Sequence, residues 1–189
     1  MATASNVTTG KPKVGGGIFS GPIGTVLPTD ATTALNEAFK EVGYITDDGV
    51  TNSNSPESDD TKAWGGDIVL STQTEKKDTF KFTLMEAKNV EALKMVYGQD
   101  NVSGDLTSGI TIKANSSESE ERSYVIDMKM RDNVLKRIVI PQAKVTDVGD
   151  IVYKDSEQVG YETTLTCMPD DKGNTHYEYM IKKAASVEP

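Results

Sequence analysis

Apolar residues recur at every second position in two neighbouring segments, and this alternation constrains the fold more than any other feature of the sequence. The segments are residues 122–130, "RSYVIDMKM", and residues 134–145, "VLKRIVIPQAKV", with the polar "RDN" between them. A period of two is that of a β-strand, in which successive side chains point to opposite faces. A short polar stretch between two such strands is typical of a hairpin turn. The sequence therefore predicts an antiparallel hairpin, with Tyr124, Ile126, Met128 and Met130 on one face and Val125, Asp127 and Lys129 on the other.

Two further pairs of segments predict hairpins. Residues 67–74, "DIVLSTQT", and 78–85, "DTFKFTLM", flank "EKK", while "YETTLTCM" and "THYEYMIKK" in residues 161–183 flank "PDDKGN". With a short strand at residues 44–46, these patterns give about eight strands. The hydrophobic fraction of 36% is low for a sheet covered on both faces, so an antiparallel sheet with one face exposed to water is favoured.

Two short segments have helical periodicity. Residues 31–43, "ATTALNEAFKEVG", place Leu35, Phe39 and Val42 on one face and end at a glycine suited to a helix C-cap. Residues 89–98, "NVEALKMVYG", show the same spacing and also end at glycine. The predicted fold class is therefore mainly β (α+β), an antiparallel β-sandwich or partial barrel with one or two short flanking helices.

The chain length of 189 residues suits one domain. Residues 1–29, rich in glycine and threonine, are predicted to form an N-terminal arm and an irregular lead-in to the fold. Residues 30–189 then form a single domain, with an extended polar loop at residues 47–64. We expect this loop to be disordered in the free protein, because it cannot bury enough apolar surface. Trp64, the only tryptophan, is expected to anchor the return of the loop to the sheet.

Residue counts argue against most kinds of chemistry. One histidine, His176, and one cysteine, Cys167, cannot supply a zinc site or a nucleophilic triad, and an intramolecular disulfide is excluded. The paired acids Asp59 and Asp60 lie in a hydrated loop, which disfavours a two-carboxylate hydrolase. No glycine pattern matches a phosphate-binding loop, and no acidic pattern matches a calcium loop. We therefore expect no catalysis, no cofactor and no metal.

Charge and hydropathy narrow the partners and the compartment. The 29 acidic residues exceed the 20 basic ones, and no cluster of lysine and arginine could neutralise a row of phosphates, so specific nucleic-acid binding is disfavoured. No apolar run approaches the length of a membrane span, and the N-terminus lacks the apolar core of a signal peptide. We expect a protein that is made in the cytoplasm and does not bind membranes.

Three long segments carry a resemblance to a known family. They are "GGGIFSGPIGTVLPTDATTALNEAFKEVGYITDDGVT", "WGGDIVLSTQTEKKDTFKFTLMEAKNVEALKMVYG" and "VTDVGDIVYKDSEQVGYETTLTCMPDDKGNTHYEYM", and together they span most of the chain. In this order they resemble the major tail proteins, or tail tube proteins, of long-tailed, non-contractile bacteriophages. The resemblance implies a small β-sandwich with a flanking helix, six-membered rings, and stacking of the rings into a hollow tube through which the phage DNA passes.

The resemblance also implies partners and site residues. The partners would be further copies of the chain and the tape-measure, tail-tip and tail terminator proteins, in a virion tail assembled in the host cytoplasm. The arm at residues 1–29 and the loop would contact the next ring. The net charge of −9 suits a conduit that does not bind the DNA it conducts, and Asp127 is a candidate acid facing the lumen. The candidate stacking residues of the loop are Asp47, Asp48, Glu57, Asp59, Asp60 and Trp64.

Two other interpretations remain open from the sequence. A non-enzymatic binding or adhesion β-sandwich would need an exposed aromatic platform, for which Trp64 and a few tyrosines are available. A related phage ring protein, such as a contractile-tail tube or tail completion protein, would share the same strand pattern. Assembly of the purified protein into rings or tubes would favour the tail tube subunit over the binding module.

Overall fold

The computed structural model describes residues 2–13 and 17–183, which form an antiparallel β fold with one α-helix in the described chain. Met1, residues 14–16 of the predicted arm and residues 184–189 of the predicted domain lie outside this description. Short 3-10 helices span Ala4–Asn6, Gln99–Asn101 and Arg131–Asn133. The regular elements are β1 (Gly10–Pro12), β2 (Ile18–Pro22), β3 (Lys40–Glu41), β4 (Thr51–Lys62), β5 (Ile68–Leu84), α1 (Val90–Tyr97), β6 (Val102–Ser103), β7 (Thr111–Ile112), β8 (Glu121–Met130), β9 (Val134–Val148), β10 (Tyr161–Cys167) and β11 (Tyr177–Lys182).

Nine strands join in one sheet, in the order β3-β2-β8-β9-β10-β5-β4. The two other strands of this sheet lie outside that order. Strand β1 pairs with the end of β8, and β11 pairs with the first half of β9. All pairs are antiparallel, and β6 and β7 form a separate two-stranded sheet. The mainly β, antiparallel, sandwich-like fold class predicted from the sequence is confirmed.

The predicted central hairpin is confirmed as β8 and β9. Ile126 lies opposite Ile138, and the turn uses Asp132 and Asn133 with φ of 56° and 60°. Asp and Asn occupy this left-handed conformation more readily than most residues because their short polar side chains can form local hydrogen bonds. Aspartate and asparagine in "RDN" therefore allow the sharp turn.

The main core lies on the face of the sheet covered by α1. Asn89 caps this helix, since its side chain accepts a hydrogen bond from the N–H of Glu91, and Gly98 ends the helix with φ of 98°. The second predicted helix is thus confirmed. Buried apolar side chains from four strands and the helix meet here, including Phe80, Phe82, Leu84, Leu93, Met95, Tyr124, Ile126, Ile138, Ile140 and Leu165.

A second, smaller core covers the opposite face of the central hairpin. Val125 and Val139 pack there beneath Phe39, with Leu27 and Leu35 partly buried beside them. The expectation of one wet face is therefore wrong for β8 and β9. A long segment between β2 and β3 covers that face, and its own sequence did not indicate where it would pack.

The helix predicted at residues 31–43 is absent. Asp30 accepts hydrogen bonds from the backbone N–H groups of Thr32 and Thr33, which closes a turn, and the segment ends in β3. Side-chain hydrogen bonds of this kind compete with helix formation. The apolar spacing instead reflects Phe39 and Val42, which are buried in different clusters.

Two hairpin predictions are also wrong. Strand β5 continues through the expected "EKK" turn, and its long partner is β4. Strands β10 and β11 do not pair with each other, because both pair with β9, at residues 143–148 and 134–139 respectively. The predicted arm is only partly irregular, since β1 and β2 within it pair with β8.

Candidate functional site

The most unusual feature of the structure is the hairpin of β4 and β5, called here the long hairpin (residues 51–84). Thr51 pairs with Lys81, and the pairing continues to Lys62 opposite Ile68. Every residue from 51 to 77 is exposed. In the described chain β10 pairs only with Thr79–Leu84 of β5, so the strand segment from Ile68 to Lys77 pairs with β4 alone. At about 3.3 Å per residue, this outer part extends about 33 Å.

The predicted loop at residues 47–64 is therefore mostly a strand, and the expectation of a disordered loop is wrong. Its residues from 51 to 62 are polar and include Pro56, so they lack the alternation that marks a strand. Backbone hydrogen bonds to β5 hold them in extended form. Proline is tolerated because β4 is an edge strand, where one ladder donor is dispensable.

Trp64 lies at the tip and does not anchor anything. The turn is closed by the N–H of Ala63, which donates to the carbonyl of Asp67 at 2.8 Å. Gly65 and Gly66 follow with φ of 121° and 99°, values that suit glycine alone. The tryptophan side chain is fully exposed at 108% relative accessibility. The sequence prediction that it packs against the sheet is wrong for the single chain.

Apolar residues continue behind the tip. Ile68, Val69 and Leu70 are each more than half exposed. A two-stranded hairpin is marginally stable alone in water, and its open edges can pair with another chain. Exposed apolar surface beside such edges indicates an interaction site. The long hairpin is therefore the candidate functional site.

Four of the six predicted stacking residues lie on the long hairpin. Glu57, Asp59 and Asp60 lie along β4, opposite Glu75, Thr72 and Ser71, and Trp64 lies at the tip. Asp47 and Asp48 lie elsewhere, in a turn closed by the N–H of Gly49 and the carbonyl of Thr46. This turn is at the opposite end of β5, where Ile45 bridges Leu84. The role of all six residues in ring stacking stays a prediction.

A polar cluster that the sequence did not reveal fixes the base of the long hairpin. Asp78 is buried where the exposed part of β5 ends, at 1% accessibility. Its Oδ1 accepts a hydrogen bond from Asn52 Nδ2 at 2.8 Å. Its Oδ2 lies 2.6 Å from both Thr175 Oγ1 and His176 Nδ1. The His176 ring also contacts Phe80 edge to face, with 5.3 Å between ring centroids.

This cluster joins β4, β5 and the segment before β11. Burial raises the pKa of the Asp78 carboxyl, but hydrogen bonds from Thr175, His176 and Asn52 lower it by more, so the pKa lies below its ordinary value of 3.8. The carboxylate is thus charged at neutral pH and holds three donors. The single histidine, His176, was the one signal in the sequence for this cluster. Its partner Asp78 lies 98 residues before it, so the sequence did not connect them.

Asp127 is not an acid that faces an open channel. It is 4% accessible and lies opposite Arg137 in the β8–β9 pair. Arg137 donates from Nε to Oδ1 at 2.6 Å and from Nη2 to Oδ2 at 2.8 Å. The Arg137 Nη1 group donates to the carbonyls of Asp30 and Thr33. The prediction that Asp127 faces the lumen is therefore wrong, because its carboxylate is buried against Arg137. The pair instead holds the segment after β2 on the sheet.

The described residues show little that would support chemistry. They contain no group of three histidine, cysteine or acidic side chains arranged to hold a metal. Cys167 is buried, and burial raises the pKa of its thiol to about 12, which keeps it protonated and unreactive at neutral pH. None of the described helices is both long and apolar enough to cross a membrane.

A β domain with a long hairpin, open strand edges and an apolar tip belongs to the class of proteins that associate with further chains. The sequence comparison identifies the family. Residues 7–189 match the family model described as phage tail tube protein, and the chain belongs to that family. It is a structural component of a phage tail tube. Comparison with curated proteins gave no match.

Proposed function

We propose that this protein is a non-enzymatic tail tube subunit that assembles into six-membered rings, and that the rings stack into a hollow conduit for phage DNA. The observation that carries the proposal is the long hairpin, in which every residue from 51 to 77 is exposed and whose outer part pairs only within itself in the described chain. On self-association, another copy of the chain covers the exposed surface of this hairpin. Membership of the tail tube family supplies the context in which the partner is another copy.

The dimensions of such a ring suit DNA. If each of six subunits gives four strands to a common barrel, ~24 strands spaced about 4.8 Å and tilted about 40° enclose roughly 45–50 Å between backbones. With the same strand geometry, the side chains leave a channel roughly 35–40 Å wide, which exceeds the roughly 20 Å of a DNA duplex. The excess of acidic residues disfavours binding of the phosphates during passage.

The proposed setting is the virion tail, assembled in the host cytoplasm. Its partners there are other copies of the subunit and the tape-measure, tail-tip and tail terminator proteins. The DNA passes through the lumen without sequence-specific contacts. The acids Glu57, Asp59 and Asp60, together with Trp64, contact the adjacent ring in this proposal.

Removal of the outer hairpin tests the proposal. Asn54 pairs with Asp78, so residues 55–77 can be replaced by Asn-Gly, which closes a two-residue hairpin turn between paired residues. This change retains Asp78 and the polar cluster at the base. We expect the variant to fold with a circular dichroism spectrum and melting temperature close to wild type, but to stop at monomers or single rings in electron micrographs.

The control shortens a different exposed segment. Replacing residues 154–157 by Gly-Gly removes a solvent-exposed ion pair between Lys154 and Glu157, and this variant should still form tubes. Normal tubes from the hairpin replacement would refute the stacking role of the hairpin. A wild-type protein that stays monomeric at high concentration, even with tail initiator proteins, would refute the assignment as a tube subunit.

A further inference from the structure

The tip of the long hairpin and an apolar groove lie at opposite ends of the same strand. The tip precedes Ile68, the first residue of β5, whereas Leu84 ends the strand and bridges Ile45. Sixteen residue steps at about 3.3 Å separate the ends by roughly 53 Å. Beside the Leu84 end is a groove of about 550 Å³, lined by residues that include Pro12, Tyr44, Ile45, Gly49 and Met85.

Placement at opposite ends is what head-to-tail stacking requires. In a heterologous contact, one patch of a subunit meets a different patch of the next subunit. A protruding tip at one end and a groove at the other can therefore repeat along an axis without limit. Two such features on the same side of the molecule would give a closed pair instead.

The charges at the two ends are complementary. The outer hairpin (residues 55–77) carries five acids, Glu57, Asp59, Asp60, Asp67 and Glu75, against three lysines. Lys76 and Lys77 lie at its base, so Lys62 is the one lysine between residues 57 and 75. The basic residues at the groove end lie on β1 and β8 and directly after each of these strands. Asp47, Asp48 and Asp132 are exposed acids at that end, and Asp47 lines the groove itself. The exposed basic side chains there are Lys11, Lys13, Lys129 and Arg131.

The tip and the groove also match in polarity. Trp64 is fully exposed, and the groove is lined mainly by apolar surface with an exposed tyrosine, Tyr44, on its wall. Aromatic side chains bury large areas and are enriched among residues that dominate binding energy. Lys11 lines the groove, and Lys129 lies opposite Lys11 in the β1–β8 pair, so basic side chains at this end can face acids that flank an inserted tip.

We propose that the hairpin tip of one subunit docks into the groove of a second copy, with Trp64 in the groove and Glu57, Asp59 and Asp60 against the basic rim. The groove is the receptor for ring stacking. This inference rests on the proposed function, since it names the partner surface for the same hairpin. The interface is weakened by salt, because its charged pairs lie at an exposed rim.

Trp64 reports its own environment, because it is the only tryptophan in the chain. In dilute protein its fluorescence should be that of a fully solvated indole. On assembly into tubes the emission should shift to shorter wavelength and become protected from iodide quenching. Trp64→Ala should raise the concentration needed for tube formation at least about 30-fold, the weakening expected for loss of a hot-spot tryptophan.

The groove has a matched pair of variants. Tyr44→Ser removes an exposed aromatic side chain from the groove wall, and Tyr153→Ser removes a somewhat more exposed one outside it. We expect the first to reduce stacking and the tryptophan shift, and the second to change neither. Equal behaviour of the two variants would overturn the docking inference.

Charge reversal tests the rim. The double variant Lys129→Glu/Arg131→Glu should form few tubes, and adding Asp59→Lys/Asp60→Lys should restore them, because the two ends are again complementary. The control Lys154→Glu/Lys172→Glu makes the same change of net charge on other loops and should leave assembly intact. Loss of tubes with no rescue would contradict the pairing of these two ends.

The outcomes separate this inference from the proposed function. If wild-type protein forms tubes and the hairpin replacement does not, but Trp64 stays solvated in the tubes, the docking site is wrong and the stacking role stands. If wild-type protein forms neither rings nor tubes, the proposed function fails and the docking inference fails with it.

Discussion

Removal of the Asp127 carboxylate should strongly destabilise the fold. The Arg137 side chain is 2% accessible, and in Asp127→Ala it loses its two charged hydrogen bonds of 2.6 and 2.8 Å. Removing one partner of a buried ion pair costs about 3–5 kcal/mol, because the other charge is left without compensation. For a chain of this size the melting temperature should fall by roughly 6–20 °C, at about 2–4 °C per kcal/mol.

The assay is urea denaturation followed by far-ultraviolet circular dichroism at concentrations that prevent assembly. Tryptophan fluorescence is unsuitable because Trp64 is exposed in the folded subunit. Lys13→Ala is the matched control, since Lys13 Nζ lies 3.6 Å from the same carboxylate but its side chain is 60% exposed. The control should cost at most about 1 kcal/mol. The reasoning fails if Asp127→Ala costs no more than the control.

Three further changes have expected outcomes. Asp78→Ala should destabilise the protein by about 1–3 kcal/mol at pH 7, because buried donors lose their acceptor. Since the folded pKa of Asp78 is below 3.8, its ionised form stabilises the fold above that pH, and the difference from wild type should shrink as pH falls below about 4. Asn89→Ala should cost about 1 kcal/mol by removing the helix cap on the N–H of Glu91. Gly43→Ala should cost about 1–3 kcal/mol, because φ is 89° there and a Cβ would overlap the Glu86 carboxylate.

Each of these changes has a result that would contradict it in the same denaturation assay. For Asp78→Ala it is a stability difference that stays constant from pH 7 to pH 3. For Asn89→Ala it is wild-type stability, and Asn89→Ser serves as the control because serine can form the same cap without placing a carboxylate against Glu86. For Gly43→Ala it is wild-type stability, with Gly49→Ala as a control in which φ is also positive but the space is open.

Much of the central fold could be predicted from the sequence. The alternation in residues 122–145 predicted β8 and β9, and the spacing in residues 89–98 predicted α1 with its terminal glycine. These elements are marked by local patterns, because each buries its own apolar stripe and each ends at residues suited to turns or caps.

The candidate site depended on contacts that local patterns do not contain. Residues 51–62 have no strand pattern, and they are extended only because β5 supplies a hydrogen-bonding partner along their length.

The sequence by itself determined the β class, the central hairpin and the composition of the hairpin tip, because periodicity and residue type act locally. Only the tertiary structure decided which groups meet across long separations. It paired Asp78 with His176, and it covered Asp127 and Arg137 with the segment from Asp30 to Phe39. Such contacts depend on how the sheet and its connections pack together, and no window of the sequence carries that information.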